Sequence, residues 1–268
     1  MFKDMTLGQY FPGDSPMHRL DPRTKILLMI AYIVAIFLIK ELSVFSLAAV
    51  FIAIAVYSGR IPASYVLRSL KPLRWIILFM FLLNLFMFKD GAVLFEWSFI
   101  RVTWGGVEQA FFIALRLILL VSGTSLLMFT TTPIALTDGL ERLLTPLSRL
   151  HFPAHELAMM MTIALRFIPT LLEEADKIMK AQLARGADFE TGGIIKRAKG
   201  MVPILVPLLV SAFRRANELA MAMESRCYHG GEGRTRMRVL KFKSADALAA
   251  AAIAALIAAI VIVQAVLW

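Results

Sequence analysis

The chain is poor in the groups that carry chemistry. Its 268 residues include one cysteine, Cys227, and four histidines. A lone thiol excludes an intrachain disulfide framework and a thiolate metal cluster. No Gly-x-x-x-x-Gly-Lys-Ser/Thr run occurs, so no P-loop binds ATP in this chain. His151 and His155 stand four apart, a spacing that suits zinc on a helix, but Pro153 lies between them and no third ligand is evident. The pair reads as structural or surface, with a membrane enzyme using the His151/His155 region as a third alternative. Acidic residues are also scarce, 19 against 29 Lys and Arg, for a net charge of +10. The one acidic cluster, Glu173-Glu174 with Asp176, forms acid-first pairs with Lys177 and Lys180, as a water-facing helix would. No basic patch with interleaved aromatics appears, so nucleic acid is a poor explanation of the charge.

Apolar residues are abundant. They make up 59% of the chain, with a mean hydropathy of +0.73, too apolar for an ordinary soluble domain. Residues 247–268 form 22 positions without a charge, ending in Trp268, and predict a membrane span. Residues 26–39, 42–57 and 75–88 are shorter runs that polar flanks extend, and residues 107–129 have spanning length but contain Arg116. Five spans result. Arg116 and Asn84 are the polar residues inside them, with interhelix hydrogen bonding or headgroup contact as their expected use and a substrate path as the alternative.

The basic residues are distributed unevenly. Residues 1–25, 59–74 and 130–243 fall on one side of a five-span arrangement and hold 25 of the 29 Lys and Arg. By the positive-inside rule the N-terminus and the large 130–243 segment are cytoplasmic and the C-terminus is outside. The chain therefore divides into a lead-in (1–25), four spans (26–129), a cytoplasmic region (130–243) and a last span (244–268). The start lacks a signal-peptide layout, so the first span is expected to serve as an uncleaved insertion signal. Asp21 and Pro22 suit the N-cap and first position of that span's helix. Residues 60–74 read as a short basic loop, and residues 88–104 as an external connection with Gly105-Gly106 before the fourth span.

After Pro133 the pattern changes. Residues 133–149 predict an amphipathic helix with Leu136, Leu140, Leu143, Leu144 and Leu147 on one face. Pro153 opens a second helix running to Arg185, bent at Pro169. A third pattern runs from about Ile194 to Arg226, interrupted by Pro203 and Pro207, and Gly230-Gly231 then forces a loop. The second and third patterns end alike, in Ala184-Arg185-Gly186 and Ser225-Arg226-Cys227. A cation in a last turn is favourable by about 0.3–1 kcal/mol against the helix dipole, so one such end means little. Two of them, 41 residues apart in an Ala-x-x-(Ala/Ser)-Arg frame, point to docking, because arginine suits a fork of hydrogen bonds across an interface. Met160, Met161 and Met223 offer either plain core or an adaptable apolar surface for several partners.

These residues, in this order, resemble the transmembrane T component of energy-coupling factor (ECF) transporters, in the CbiQ-like superfamily. The likeness runs through Gly8-Gln9-Tyr10, the stretch from Ser15-Pro16-Met17-His18 to Thr24-Lys25, Thr131-Thr132-Pro133, Leu165-Arg166-Phe167-Ile168-Pro169, the first tip, and Arg234-Thr235-Arg236. It implies an all-α integral membrane protein, with about five transmembrane helices and three long cytoplasmic coupling helices between the fourth and fifth, in a prokaryotic cell membrane. It implies further that Ala184, Arg185 and Gly186, and likewise Ser225, Arg226 and Cys227, dock on two ECF ATPase subunits. Met160, Met161 and Met223 become candidates for contact with interchangeable substrate-binding S components. ATP and magnesium would sit on the partner ATPases, and the chain itself would be non-catalytic, with no cofactor and no metal. The lead-in is most similar to the shared, multi-substrate type that serves vitamin uptake. The alternatives are a dedicated cobalt, nickel or biotin T component and a self-contained permease.

Overall fold

The computed structural model describes residues 10–88, 92–97, 100–150, 152–187, 193–230 and 240–267. His151, Gly8-Gln9, Gly231 and Arg234-Thr235-Arg236 lie outside the described residues. Helices dominate: α1 (Pro22–Leu38), α2 (Phe45–Gly59), α3 (Ala63–Leu70), α4 (Arg74–Met87), α5 (Trp104–Thr130), α6 (Pro133–Leu144), α7 (Ala154–Ala184), α8 (Ile194–Glu224) and α9 (Ser244–Leu267). The fold is all-α, as expected. The one sheet among the described residues is a hairpin of β1 (Val93–Trp97) and β2 (Ile100–Thr103) between α4 and α5.

By its internal contacts the chain forms two compact units. One comprises the described residues of 8–140 and 240–268, the other those of 141–239. In the first, α1, α2, α5 and α9 enclose a core of Tyr32, Ala35, Ile36, Phe45, Ala48, Ile52, Leu119, Leu126, Phe129, Ile253, Leu256 and Ile260. Close packing of α1 on α5 depends on Gly123, where a Cβ would overlap the Tyr32 ring. The Tyr32 hydroxyl donates to the Leu119 carbonyl at 2.9 Å, so a buried polar group finds its partner inside the bundle. Outside this core the surface is apolar: Phe37, Val50, Ile54, Trp75, Phe79, Ile262 and Val266 are each at least half exposed. Such a surface suits lipid and would be unstable in water.

Among the described residues, the helices Leu42–Gly59, Trp104–Thr130, Ala154–Ala184 and Ser244–Val266 are long and apolar enough to cross a membrane, and α3 with α4 adds a fifth if that pair, bent by 61°, counts as one span. Length and composition alone thus admit α7 and omit the 17-residue α1. Charge distinguishes the two helices. The α7 helix carries Glu156, Arg166, Glu173, Glu174, Asp176, Lys177 and Lys180 along its length, whereas α1 confines its charges, Arg23 and Lys25, to the first turn.

Several local expectations need correction. Residues 60–74 are not simply a loop, because Ala63–Leu70 forms α3 after the left-handed turn at Arg60 (φ 50°). Gly105 and Gly106 lie inside α5, which starts earlier because Thr103 Oγ1 caps it by accepting from the Gly106 N–H at 3.2 Å. The first amphipathic helix closes at Leu144 and continues as a 3-10 turn, Thr145–Leu150, since Pro146 has no N–H to give the α ladder. Pro203 and Pro207 do not interrupt α8. Four residues apart, they place their missing donors on one face, and the helix runs on to Glu224.

Arg116 and Asn84 are accounted for within the bundle. Arg116 Nη2 donates to the Ile39 carbonyl at 2.8 Å, at the end of α1, and its guanidinium lies over the Phe112 and Phe37 rings. Gln264 Nε2 donates to the neighbouring Leu38 carbonyl at 3.1 Å. Both side chains serve orphan carbonyls at a helix end. Asn84 donates to Met80 of its own helix at 2.8 Å.

Candidate functional site

The lead-in segment is a fastening device. The Asp21 side chain caps α1 by accepting from the Arg23 N–H at 2.9 Å and also pairs with the Arg23 guanidinium at 3.1 Å. The Asp21 N–H in turn donates to Asp246 in the first turn of α9 at 2.8 Å. Lys25 Nζ donates to the Thr130 carbonyl at 2.8 Å and to Thr131 Oγ1 at 3.0 Å, where α5 ends. His18 is held between Ser15 and the Phe11 carbonyl, at 2.7 and 2.8 Å. Two of the sequence motifs, residues 15–25 and 131–133, therefore meet in space and join three helix ends.

Those two tips share one geometry. At the end of α7 the Gly186 N–H reaches back to the Leu183 carbonyl at 3.0 Å, and the Ala187 N–H to the Gln182 carbonyl at 3.0 Å. At the end of α8 the Cys227 N–H bonds the Glu224 carbonyl at 2.9 Å, and the Tyr228 N–H the Met223 carbonyl at 3.1 Å. Each is a Schellman closure, with a left-handed residue just past the helix: Gly186 at φ 83° and Cys227 at φ 56°. A Cβ built on Gly186 would meet nothing within 4 Å, so glycine there answers to backbone conformation alone. Arg185 and Arg226 occupy the same capping position, one residue before the left-handed turn. Ala184 through Gly186 and Ser225 through Cys227 are all exposed, and neither arginine has an ion-pair partner among the described residues.

Behind the tips, α7 and α8 are locked to each other. Arg215 Nη2 donates to Glu174 Oε2 at 2.9 Å. A hydrogen bond from Ser211 does most to hold the Glu174 carboxyl below its ordinary range; burial opposes it, and the Arg215 guanidinium adds to the lowering. Glu174 precedes Arg185 by eleven residues, and Arg215 precedes Arg226 by eleven. Eleven residues is about three helical turns and roughly 16 Å, so each arginine lies nearly on the same helix face as its member of the clamp. Of the two expected pairs within α7, Asp176–Lys180 closes at 2.7 Å, and Lys177 instead adds to the field at Glu174. The clamp escaped the sequence reading because a pairing between helices has no fixed spacing: Glu174 stands in an acidic cluster and Arg215 beside Arg214, and neither position points to the other.

Of the candidate methionines, Met160 (54% exposed) and Met161 (43%) lie in the second turn of α7, and the half-buried Met223 in the last turn of α8. A larger apolar face, absent from the candidate residues, runs along α8 through Met201, Val202, Leu205, Val206, Leu209, Val210 and Phe213, each at least half exposed. His155 pairs with Glu141 at 2.9 Å, and no group of three metal-ligating side chains occurs among the described residues.

Comparison with known proteins agrees with these features. Residues 13–237 match the family CbiQ, described as cobalt transport protein. The energy-coupling factor transporter transmembrane protein EcfT of Thermosediminibacter oceani is 58% identical over 245 residues, covering 91% of this chain and 92% of that protein. The protein of the same name from Ruminiclostridium cellulolyticum is 54% identical over 92% of each chain. Its counterpart from Bacillus subtilis is 50% identical over 92% of this chain and 93% of its own.

Proposed function

The chain belongs to the CbiQ family as the transmembrane T component of an energy-coupling factor transporter, and on that premise we propose that it couples two ATPase subunits to a substrate-binding membrane subunit. The observation that carries this reading is the pair of matching closures, which present Arg185 and Arg226 to solvent without ion-pair partners among the described residues. Each tip docks on one ATPase. The ATPases hold ATP and magnesium, and their closing and opening move the tips. The Glu174–Arg215 clamp makes α7 and α8 move together, so the displacement reaches the apolar flanks of both helices. Met160, Met161 and Met223, with the exposed face of α8, form the seat for interchangeable S components. Unbranched, polarizable side chains that repack favour partners of different sequence. The cargo is a vitamin or similar micronutrient, released to the cytoplasm.

Residues 130–243 are the cytoplasmic coupling region in this reading. The N-terminus is cytoplasmic and the C-terminus outside, because 25 of 29 Lys and Arg fall on one side. The chain hydrolyses nothing by itself. Affinity purification of the tagged chain from its host tests the proposal: it should bring down two ATPase subunits and a small membrane protein, and the isolated chain should be inert. Recovery alone, from cells transporting the substrate, would refute it.

A further inference from the structure

The membrane unit has an open groove of about 510 Å³ between α1, α2, α5 and α9. Its walls are almost wholly apolar, with Met29, Phe51, Ile52, Leu126 and Ile253 among them. It begins where α1 and α9 start and α2 and α5 end, at Lys25, Ser244, Ser58 and Thr130. On α9 it extends to Ile253, nine residues or roughly 13 Å from the helix start. That depth is close to one leaflet, half of a hydrocarbon core about 30 Å thick.

The mouth is basic. Leu20 and Ser244 line the groove, and their chain neighbours Arg19 and Lys243 are exposed. Lys241 is exposed as well, and between it and Lys243 stands Phe242, 65% exposed and covered by the Arg23 guanidinium at 4.3 Å. An exposed aromatic between two lysines suits the headgroup boundary. The two carboxylates built into this end are already engaged. Asp21 binds Arg23, and Asp246 accepts from the Asp21 and Lys243 backbone N–H groups, both at 2.8 Å. Lys25 has its own acceptors on Thr130 and Thr131, and Arg19, Lys241 and Lys243 have no ion-pair partner among the described residues.

We propose that this groove is a binding site for one anionic phospholipid, its acyl chain between α2 and α9 and its phosphate among Arg19, Lys241 and Lys243. A groove of this size falls in the usual range for specific ligand sites, so the lipid is retained where boundary lipid exchanges. Its chain fills the opening that the four helices leave at this end, and its phosphate offsets the basic collar.

Native mass spectrometry of the purified full-length chain, delipidated and then titrated with phosphatidylglycerol or with phosphatidylcholine of the same chains, tests the proposal. The wild type should retain one phosphatidylglycerol at least about tenfold better than phosphatidylcholine. Ala252→Phe, at an exposed position lining the groove, should abolish retention of both. The combination Arg19→Ser, Lys241→Ser and Lys243→Ser should keep the chain's hold and lose the headgroup preference. Equal retention of the two lipids by the wild type would overturn the site. So would unchanged phosphatidylglycerol retention in a folded Ala252→Phe protein.

Discussion

The two tips end in the same backbone geometry on different residues, glycine at 186 and cysteine at 227. A non-glycine residue in the left-handed region costs about 1–2 kcal/mol, because its Cβ crowds the following carbonyl. The second tip bears that cost and keeps both closing hydrogen bonds. The turn is therefore held by its bonding pattern, with glycine as the least strained occupant, and what both tips preserve is the position of the arginine. This difference separates two roles that one Ala-Arg-Gly motif would merge: the glycine shapes the turn, and the arginine is displayed by it.

Substitutions test that separation, the largest effect first. Arg185→Glu or Arg226→Glu should weaken ATPase recovery by about 2–5 kcal/mol where the contact is desolvated, thirtyfold or more, with membrane insertion intact. The double variant should be worse than either single variant, because two subunits are served. Equal loss in the double and one single variant would mean that only that tip docks; quantitative pull-down on the purified complex distinguishes the cases. Gly186→Ala should cost about 1 kcal/mol of local stability through strain at φ 83°. Faster amide exchange at Ala187, with ATPase capture little changed, would place the glycine's role in the turn. Glu174→Gln should weaken the clamp, lowering transport per ATP hydrolysed in reconstituted vesicles more than it lowers ATPase capture. Cys227→Gly should be the mildest, stabilising the second tip by a few tenths of a kcal/mol at most, because relief of strain is offset by a more flexible unfolded chain. If it abolished coupling, the thiol would have a role of its own.

Much of the architecture was legible in the sequence, for definite reasons. Charge-free runs, the Asp21-Pro22 helix start and the uneven distribution of basic residues are local signals, and they carried the spans and the two tips. Helix α3 was not legible because eight residues that include Arg68 look like a basic loop until Val66 packs inward. The uninterrupted α8, like α7 with Pro169 inside it, shows that an internal proline removes a backbone donor without having to end the helix. The lead-in residues Asp21 and Lys25 were seen as a motif, but their partners Asp246 and Thr131 are more than a hundred residues away, and only the fold brings them together. The second tip has cysteine where the first has glycine, and its backbone closes in the same way.

The central claim, that each tip touches an ATPase, is tested most directly by the chain's own cysteine. Cys227 is its only thiol and lies exposed on the second tip. A short thiol-directed photocrosslinker on Cys227, activated in the assembled complex, should yield an adduct with one ATPase subunit. The same probe on Ala187→Cys in a Cys227→Ser background should yield an adduct with the other ATPase site, and Arg226→Glu should abolish only the first. Adducts confined to lipid or to the small membrane subunit, with the ATPases present and unlabelled, would contradict the account.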